Sequence, residues 1–176
     1  MAHELIDRKY LHRGKVLDLS LSRFSSLAKG DVTLEIVHHN GGAAALPLFE
    51  DQTVALVRQW RYPLGRYSLE IAAGRIEPGD TPEQTAAREL EEELGLRASD
   101  LRKLVEFNVA PGYCEERIYV YLATGLANAS QKLDDDEEIE SVHLPFAQAL
   151  DLVRRGEIDD AKSILGLMTA ASIILG

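Results

Sequence analysis

A chain of 176 residues with 45% hydrophobic and 27% charged side chains has material for one ordinary domain and a small appendage, not for two full-sized domains. Its formal charge of −10 excludes general electrostatic capture of duplex DNA or an anionic membrane, and means that an anionic small molecule would need an accompanying cation. The charged start MAHELIDRKY, the lack of any run near the roughly 18 apolar residues of a membrane span, and the single cysteine, Cys114, lead to the expectation of a cytoplasmic protein with no internal disulfide.

In chain order, residues 5–37 alternate with a loose period of two, with Gly14-Lys15 and Lys29-Gly30-Asp31 as turns. Three strands forming a small antiparallel N-terminal sheet are expected, a unit spanning 1–42 ahead of a main domain at 43–176. GGAAALPLFEDQTVALVRQWRYPLG continues with two apolar runs separated by a hairpin-like break at Glu50-Asp51-Gln52; the second run, 54–60, is strongly strand-like. YSLEIAAG then leads into a loop and helix, and LRKLVEFNVAPG and ERIYVYLATGL predict two strands around a Pro111-Gly112 turn. DDDEEIESVHLP joins an acidic loop to a further strand. The end changes to helical spacing, with Phe146, Leu150 and Val153 on one face and Ile164, Leu167, Met168 and Ala171 on another. Strands and helices interleaved in this way predict a layered domain of the α+β or α/β kind.

The stretch GRIEPGDTPEQTAARELEEELGL, residues 74–96, concentrates five glutamates between positions 83 and 93. Its helix is well specified: Thr81 as N-cap, Pro82 at the first helical position, Gln84 completing a capping box, and Gly95 as the C-terminal stop. Ala86, Ala87, Leu90 and Leu94 form the expected buried stripe, while Glu89 and Glu93, four apart, lie side by side with Glu92 bordering them. Like charges at this spacing cost a few tenths of a kcal/mol per pair, so the helix is built for a positive partner. An isolated pair of this kind is more often a solvated face. Here a glycine ending a strand, a Pro78-Gly79 loop and clustered carboxylates together form a pocket of oxygen donors, suited to Mg²⁺ or Mn²⁺.

The segment resembles the Nudix box, G-x5-E-x7-R-E-U-x-E-E-x-G-U with U a bulky aliphatic residue. Gly74, Arg88, Glu89, Leu90, Glu92, Glu93, Gly95 and Leu96 match, and Asp80 stands where the family has its first glutamate. VRQWRYPLG, SLEIAAG, APGYCEERIYVYLA and RGEIDDAKSILGL resemble the branch of ADP-ribose pyrophosphatases and nucleoside diphosphate sugar hydrolases, with Pro111 fifteen positions after Leu96.

The resemblance implies an α+β fold, an α/β/α sandwich with the small N-terminal antiparallel sheet. It also implies an enzyme that uses Mg²⁺, or Mn²⁺, to hydrolyse a nucleoside diphosphate sugar to a nucleoside monophosphate and a sugar phosphate. Glu89, Glu93 and the carbonyl of Ala73 become metal ligands, Glu92 a ligand or support for the cluster, Arg88 the residue that orients the glutamates, and Asp80 a loop brace. Glu137 becomes the general base or an extra ligand, with Glu138, Glu140 and Asp135 as the other candidates in the acidic loop. Arg58 and Arg61 become phosphate or partner-subunit contacts and Glu70 a substrate contact. Trp60 and Tyr62 serve either core packing or adenine stacking. The resemblance further implies a homodimer with a shared active site, built through the N-terminal sheet. A GDP-mannose-type hydrolase and a non-catalytic nucleotide sensor are the competing expectations.

Overall fold

The computed structural model describes residues 3–25, 30–133 and 138–174. The chain divides into two compact units, Met1–Gly41 with Phe107–Arg117, and Gly42–Glu106 with Ile118–Gly176. A division of the sequence at residue 42 therefore leaves out Phe107–Arg117, which groups with the first unit.

In the first unit, β1 (Leu5–Arg13), β2 (Asp18–Phe24) and β3 (Val32–His38) form the expected antiparallel sheet in the order β1-β2-β3. Its alternation buries a polar row on β2, the fully buried Ser20 and Ser22. Buried hydroxyls need partners. Ser20 Oγ lies 2.9 Å from Ser22 Oγ and 2.8 Å from His38 Nε2, His38 Nδ1 lies 2.7 Å from Glu115 Oε2, and Arg8 Nε donates to Ser22 Oγ. Although a serine, a histidine and a glutamate line up here, the serine has no exposed surface from which to attack a substrate. The network ties β1, β2 and β3 to the 107–117 segment.

The second unit holds two sheets, β7-β4-β9-β8 and β10-β5-β6. Its strands are β4 (Gly42–Pro47), β5 (Thr53–Arg61), β6 (Arg66–Glu70), β7 (Ala72–Arg75), β8 (Leu96–Asn108), β9 (Arg117–Asn128) and β10 (Ile139–Pro145). Its helices are α1 (Pro82–Leu94), α2 (Phe146–Arg154) and α3 (Ala161–Ile174). The hairpin-like break at 50–52 is a tight antiparallel turn, with the bridge Leu48↔Val54, the Phe49 N–H donating to Thr53 O at 2.9 Å and Gln52 at φ 64°, but β4 and β5 on either side of it belong to different sheets. Gly42–Pro47 and Val54–Val57 are buried, and each strand finds its ladder elsewhere, β4 on β7 and β9, β5 on β6 and β10. Periodicity cannot distinguish a corner between sheets from a hairpin within one.

On one face of the β4 sheet, α1 packs Ala86 and Leu90 against Ala43, Ala45, Tyr121 and Ala123. The alternate residues point to the other face, where Gly166 of α3 comes so close that a Cβ there would meet Val120 Cγ1 at 3.1 Å and Ile71 Cδ1 at 3.4 Å. This close approach sets the roll of α3. Its buried residues are Ser163, Gly166, Leu167 and Ala170, whereas Met168, expected on one face with Leu167, is 49% exposed. Small residues rather than the largest apolar ones face the sheet.

Candidate active site

The strand β7, the loop after it and α1 form one local device. Thr81 Oγ1 accepts the Gln84 N–H at 3.2 Å and Gln84 Oε1 accepts the Thr81 N–H at 2.8 Å, so the capping box fixes where the helix begins. Gly95, at φ 62°, ends it with its N–H bonded to Glu91 O at 2.9 Å. Two further carbonyls of the last turn are satisfied by the segment after β9: Glu92 O accepts the Lys132 N–H at 3.0 Å, and Glu93 O accepts from Gln131 Nε2 at 2.6 Å. Fixed ends fix the helix phase. Ala87, expected in the buried stripe, is exposed, and Thr85 is buried in its place. The buried arc is thus rotated toward the face that carries Glu89 and Glu93, which are only 8% and 3% exposed.

That face lies against β7. Glu93 Oε2 accepts the Ala73 N–H at 2.9 Å. Beside it, Gly74 leaves room for the Glu89 carboxylate, because a Cβ at Gly74 would stand 1.9 Å from Glu89 Oε1 and 2.1 Å from its carboxyl carbon. Arg88 Nη1 lies 2.8 Å from Glu89 Oε1 and 2.7 Å from Glu92 Oε2, and Arg88 Nη2 lies 3.4 Å from Arg75 O. Partial burial works against the Arg88 charge, but Glu89 and then Glu92 hold its pKa above the ordinary arginine value. Asp80 sits 4.0 Å from Arg88 Nε and donates its N–H to Glu77 O. Among the described residues, no three His, Cys, Asp or Glu side chains are gathered as a ready-made metal cluster; the glutamates converge on Arg88 and on the β7 backbone.

A cleft of about 390 Å³ opens in the same unit, lined among others by Arg61, Arg66, Glu70, Asp160 and Lys162. Glu70 is buried and doubly bonded to Arg61, with Oε1 2.7 Å from Nε and Oε2 2.6 Å from Nη2. This is the strong two-point form of a carboxylate–guanidinium pair. Glu93 contributes to the field that raises the Arg61 pKa, after its bond to Glu70, so the cleft and the glutamate helix are electrostatic neighbours. Burial alone would raise the Glu70 pKa, but the Arg61 hydrogen bonds and the Lys162 charge bring it down to about 2 from 4.5.

A depressed carboxylate pKa stabilises the fold above the unfolded value, and the benefit is lost as pH falls through the folded value. The shift corresponds to on the order of 3 kcal/mol. The stability gap between wild type and Glu70→Gln, measured by chemical denaturation, is therefore expected to be flat above pH 4.5 and to shrink toward pH 2. A gap independent of pH across that window would show that Arg61 and Lys162 do not hold the carboxylate.

The remaining sequence-predicted residues are distributed as follows. Arg58 lies over the Tyr67 ring at 4.0 Å and pairs with Glu140 at 3.0 Å, and Trp60 meets Tyr67 edge-on with ring centroids 5.2 Å apart. Tyr62 is 83% exposed, so it is not a core residue. Pro111 is exposed in a turn of the first unit, where Tyr113 and Cys114 donate to Ala110 O. Glu137 and Asp135 lie outside the described residues. Lys162, Asp160 and Ser163, which hold Glu70 and the strand end after it, were not singled out in the sequence. Their only signal was the likeness of the whole tail RGEIDDAKSILGL.

The NUDIX domain model matches residues 38–166, and the chain belongs to that family. Within it the chain falls on the ADP-ribose pyrophosphatase branch and is a pyrophosphohydrolase. It is 38% identical over 166 residues to the ADP-ribose pyrophosphatase of Bacillus subtilis (strain 168), covering 93% of this chain and 89% of the relative. It is 35% identical over 176 residues to the ADP-ribose pyrophosphatase of Mycobacterium tuberculosis (strain ATCC 25618 / H37Rv), covering 98% and 85%. The crystal structure of an ADP compounds hydrolase shares the fold, with a TM-score of 0.86 over 100% of this chain and 96% of the other at 22% identity.

Proposed function

We propose that this protein hydrolyses the diphosphate linkage of ADP-ribose or a closely related nucleoside diphosphate sugar, releasing a nucleoside monophosphate and a sugar phosphate. The observation that carries this reading is the buried Glu89 and Glu93 pair docked on β7 through Gly74 and Ala73. Two carboxylates held nearly out of water, with a single guanidinium bridging Glu89 to Glu92, form a donor set of hard oxygens.

A divalent cation, Mg²⁺ or Mn²⁺, fits this set. Glu89 and Glu93 offer carboxylate oxygens, and the Ala73 carbonyl leaves the extended strand on the same side as the N–H that Glu93 accepts. Such an ion supplies neutralisation of the diphosphate charge and acidification of the attacking water. Arg88 holds Glu89 and Glu92 in place. Arg61 presents its guanidinium to the diphosphate in the cleft, Glu70 aims Arg61 and takes a substrate hydroxyl, and Trp60 and Arg58 complete the substrate contacts of this unit. Glu137 is assigned as general base or extra metal ligand on the resemblance of its acidic loop to that of the branch. The enzyme acts in the cytoplasm as a homodimer sharing its active sites; for the dimer alone, the exposed Leu5, Ile6, Leu11 and Leu34 of the first unit offer apolar surface for association.

The test is incubation with ADP-ribose, ADP-glucose and GDP-mannose in ¹⁸O-water with Mg²⁺ or Mn²⁺, followed by mass analysis of both products. Preferential conversion of ADP-ribose to AMP and ribose phosphate is expected. Faster cleavage of GDP-mannose would replace the substrate assignment, and no cleavage of any diphosphate would end it.

A further inference from the structure

The first turn of α3 approaches the cleft from a part of the chain far from the box. Lys162 Nζ, in a side chain only 13% exposed, pairs with Glu70 Oε2 and lies 3.0 Å from Asp160 Oδ1. Asp160 is itself fixed, since its Oδ2 accepts the Ser163 N–H at 3.0 Å and the Ser163 hydroxyl. Ser163 Oγ accepts the N–H of Ile71, the residue between β6 and β7, at 2.9 Å. One helical turn thus holds the Glu70 side chain and the backbone beside it.

We propose that Lys162 is a positioning residue for diphosphate binding: its ammonium fixes the Glu70 carboxylate, and through Glu70 it keeps Arg61 directed along the cleft with charge to spare for an anionic ligand. This rests on the reading of Arg61 as a diphosphate contact. In a lone bidentate pair the Arg61 charge would be cancelled by Glu70. Lys162 shares Glu70 Oε2, so the carboxylate is divided between two cations. The four groups Arg61, Lys162, Glu70 and Asp160 sum to zero charge, and loss of Lys162 leaves them at −1 close to Glu93. A diphosphate entering that field is repelled.

Steady-state hydrolysis of ADP-ribose with Mg²⁺ is measured for wild type, Lys162→Gln, Lys162→Arg, Glu70→Gln and the double variant Glu70→Gln/Lys162→Gln, each with a thermal melt. Lys162→Gln is expected to raise KM about tenfold while kcat stays within about threefold, and Lys162→Arg to restore KM to within about threefold of wild type. In the Glu70→Gln background the remaining groups carry +1 with Lys162 and zero without it, so no net negative field arises and no glutamate is left to misplace Arg61, and Lys162→Gln is expected to raise KM by no more than about threefold. Should the single Gln variant fail to fold, the double variant, which removes both charges of the pair, and the Arg variant still supply the comparison. An unchanged KM in Lys162→Gln, a loss confined to kcat, or an equal effect in both backgrounds overturns the proposal. Wild type inactive on every diphosphate sugar overturns the functional reading beneath it, whereas active wild type with an indistinguishable Lys162→Gln overturns the role of Lys162 alone.

Discussion

Glu93→Gln is expected to lower kcat by at least about a thousandfold while leaving the fold intact. The amide has the same shape as the carboxylate, and its oxygen can still accept the Ala73 N–H that docks α1 on β7. At 3% exposure the native carboxylate is costly to keep charged, and its neutralisation trades that cost against its attraction for Arg61, so little net change in stability is expected. What the variant loses is one anionic oxygen donor for a divalent cation. Calorimetric Mg²⁺ binding should weaken together with kcat, and the melting temperature should move by no more than about 4 °C. Substantial turnover retained with Mg²⁺ would reject the role given to Glu93, and a collapsed melt would show that the residue serves the fold instead.

The parts of this site that could be read from the sequence are those built by local chemistry. Thr81, Gln84 and Gly95 set the two ends of α1 through bonds spanning a few residues, so the placement of Glu89 and Glu93 on one helical face follows from counting. Of the expected stripe, Ala86 and Leu90 are buried and Leu94 packs against the core, and Ala87 alone departs. Ala87 is exposed and Thr85 buried because the helix is rolled to press its glutamates against β7, and that roll is a tertiary outcome. The sheets joined by the strands on either side of the 50–52 turn, and the buried face of α3, are not legible for a related reason. Apolar periodicity reports that a residue is buried, not which sheet buries it, and Gly166 displaces Met168 from the interface only because α3 meets Val120 and Ile71 so closely.

The cleft shows the limit most clearly. Arg61 and Glu70 stood out by likeness, but that they bond to each other depends on β5 pairing with β6, and Lys162 reaches Glu70 across a separation of 92 residues. No spacing rule connects positions that far apart. The cleft and the box also divide the work differently. The box holds its carboxylates by backbone and by one arginine within the same short segment, whereas the cleft holds its charged groups by side chains from three elements. Changes in the cleft are therefore expected to appear mainly in KM, and changes in the box mainly in kcat.

Gly74→Ala tests the box from the strand side. Gly74 does not need a left-handed backbone, since it is absent from the glycines at positive φ, so alanine brings no conformational strain there. Its role is space: the added methyl would stand 1.9 Å from Glu89 Oε1, 2.1 Å from the carboxyl carbon and 2.6 Å from Oε2. All three atoms belong to the end of a flexible side chain, so the structure can yield by swinging the carboxylate away and leaving β7 and α1 where they are. The expected result is a fall in kcat of about a hundredfold or more with a destabilisation of no more than about 2 kcal/mol. Glu89→Gln in the Gly74→Ala background should then add little, because the carboxylate is already out of place. Near-normal turnover by Gly74→Ala would mean that Glu89 performs its role from a different position than the one Gly74 makes room for.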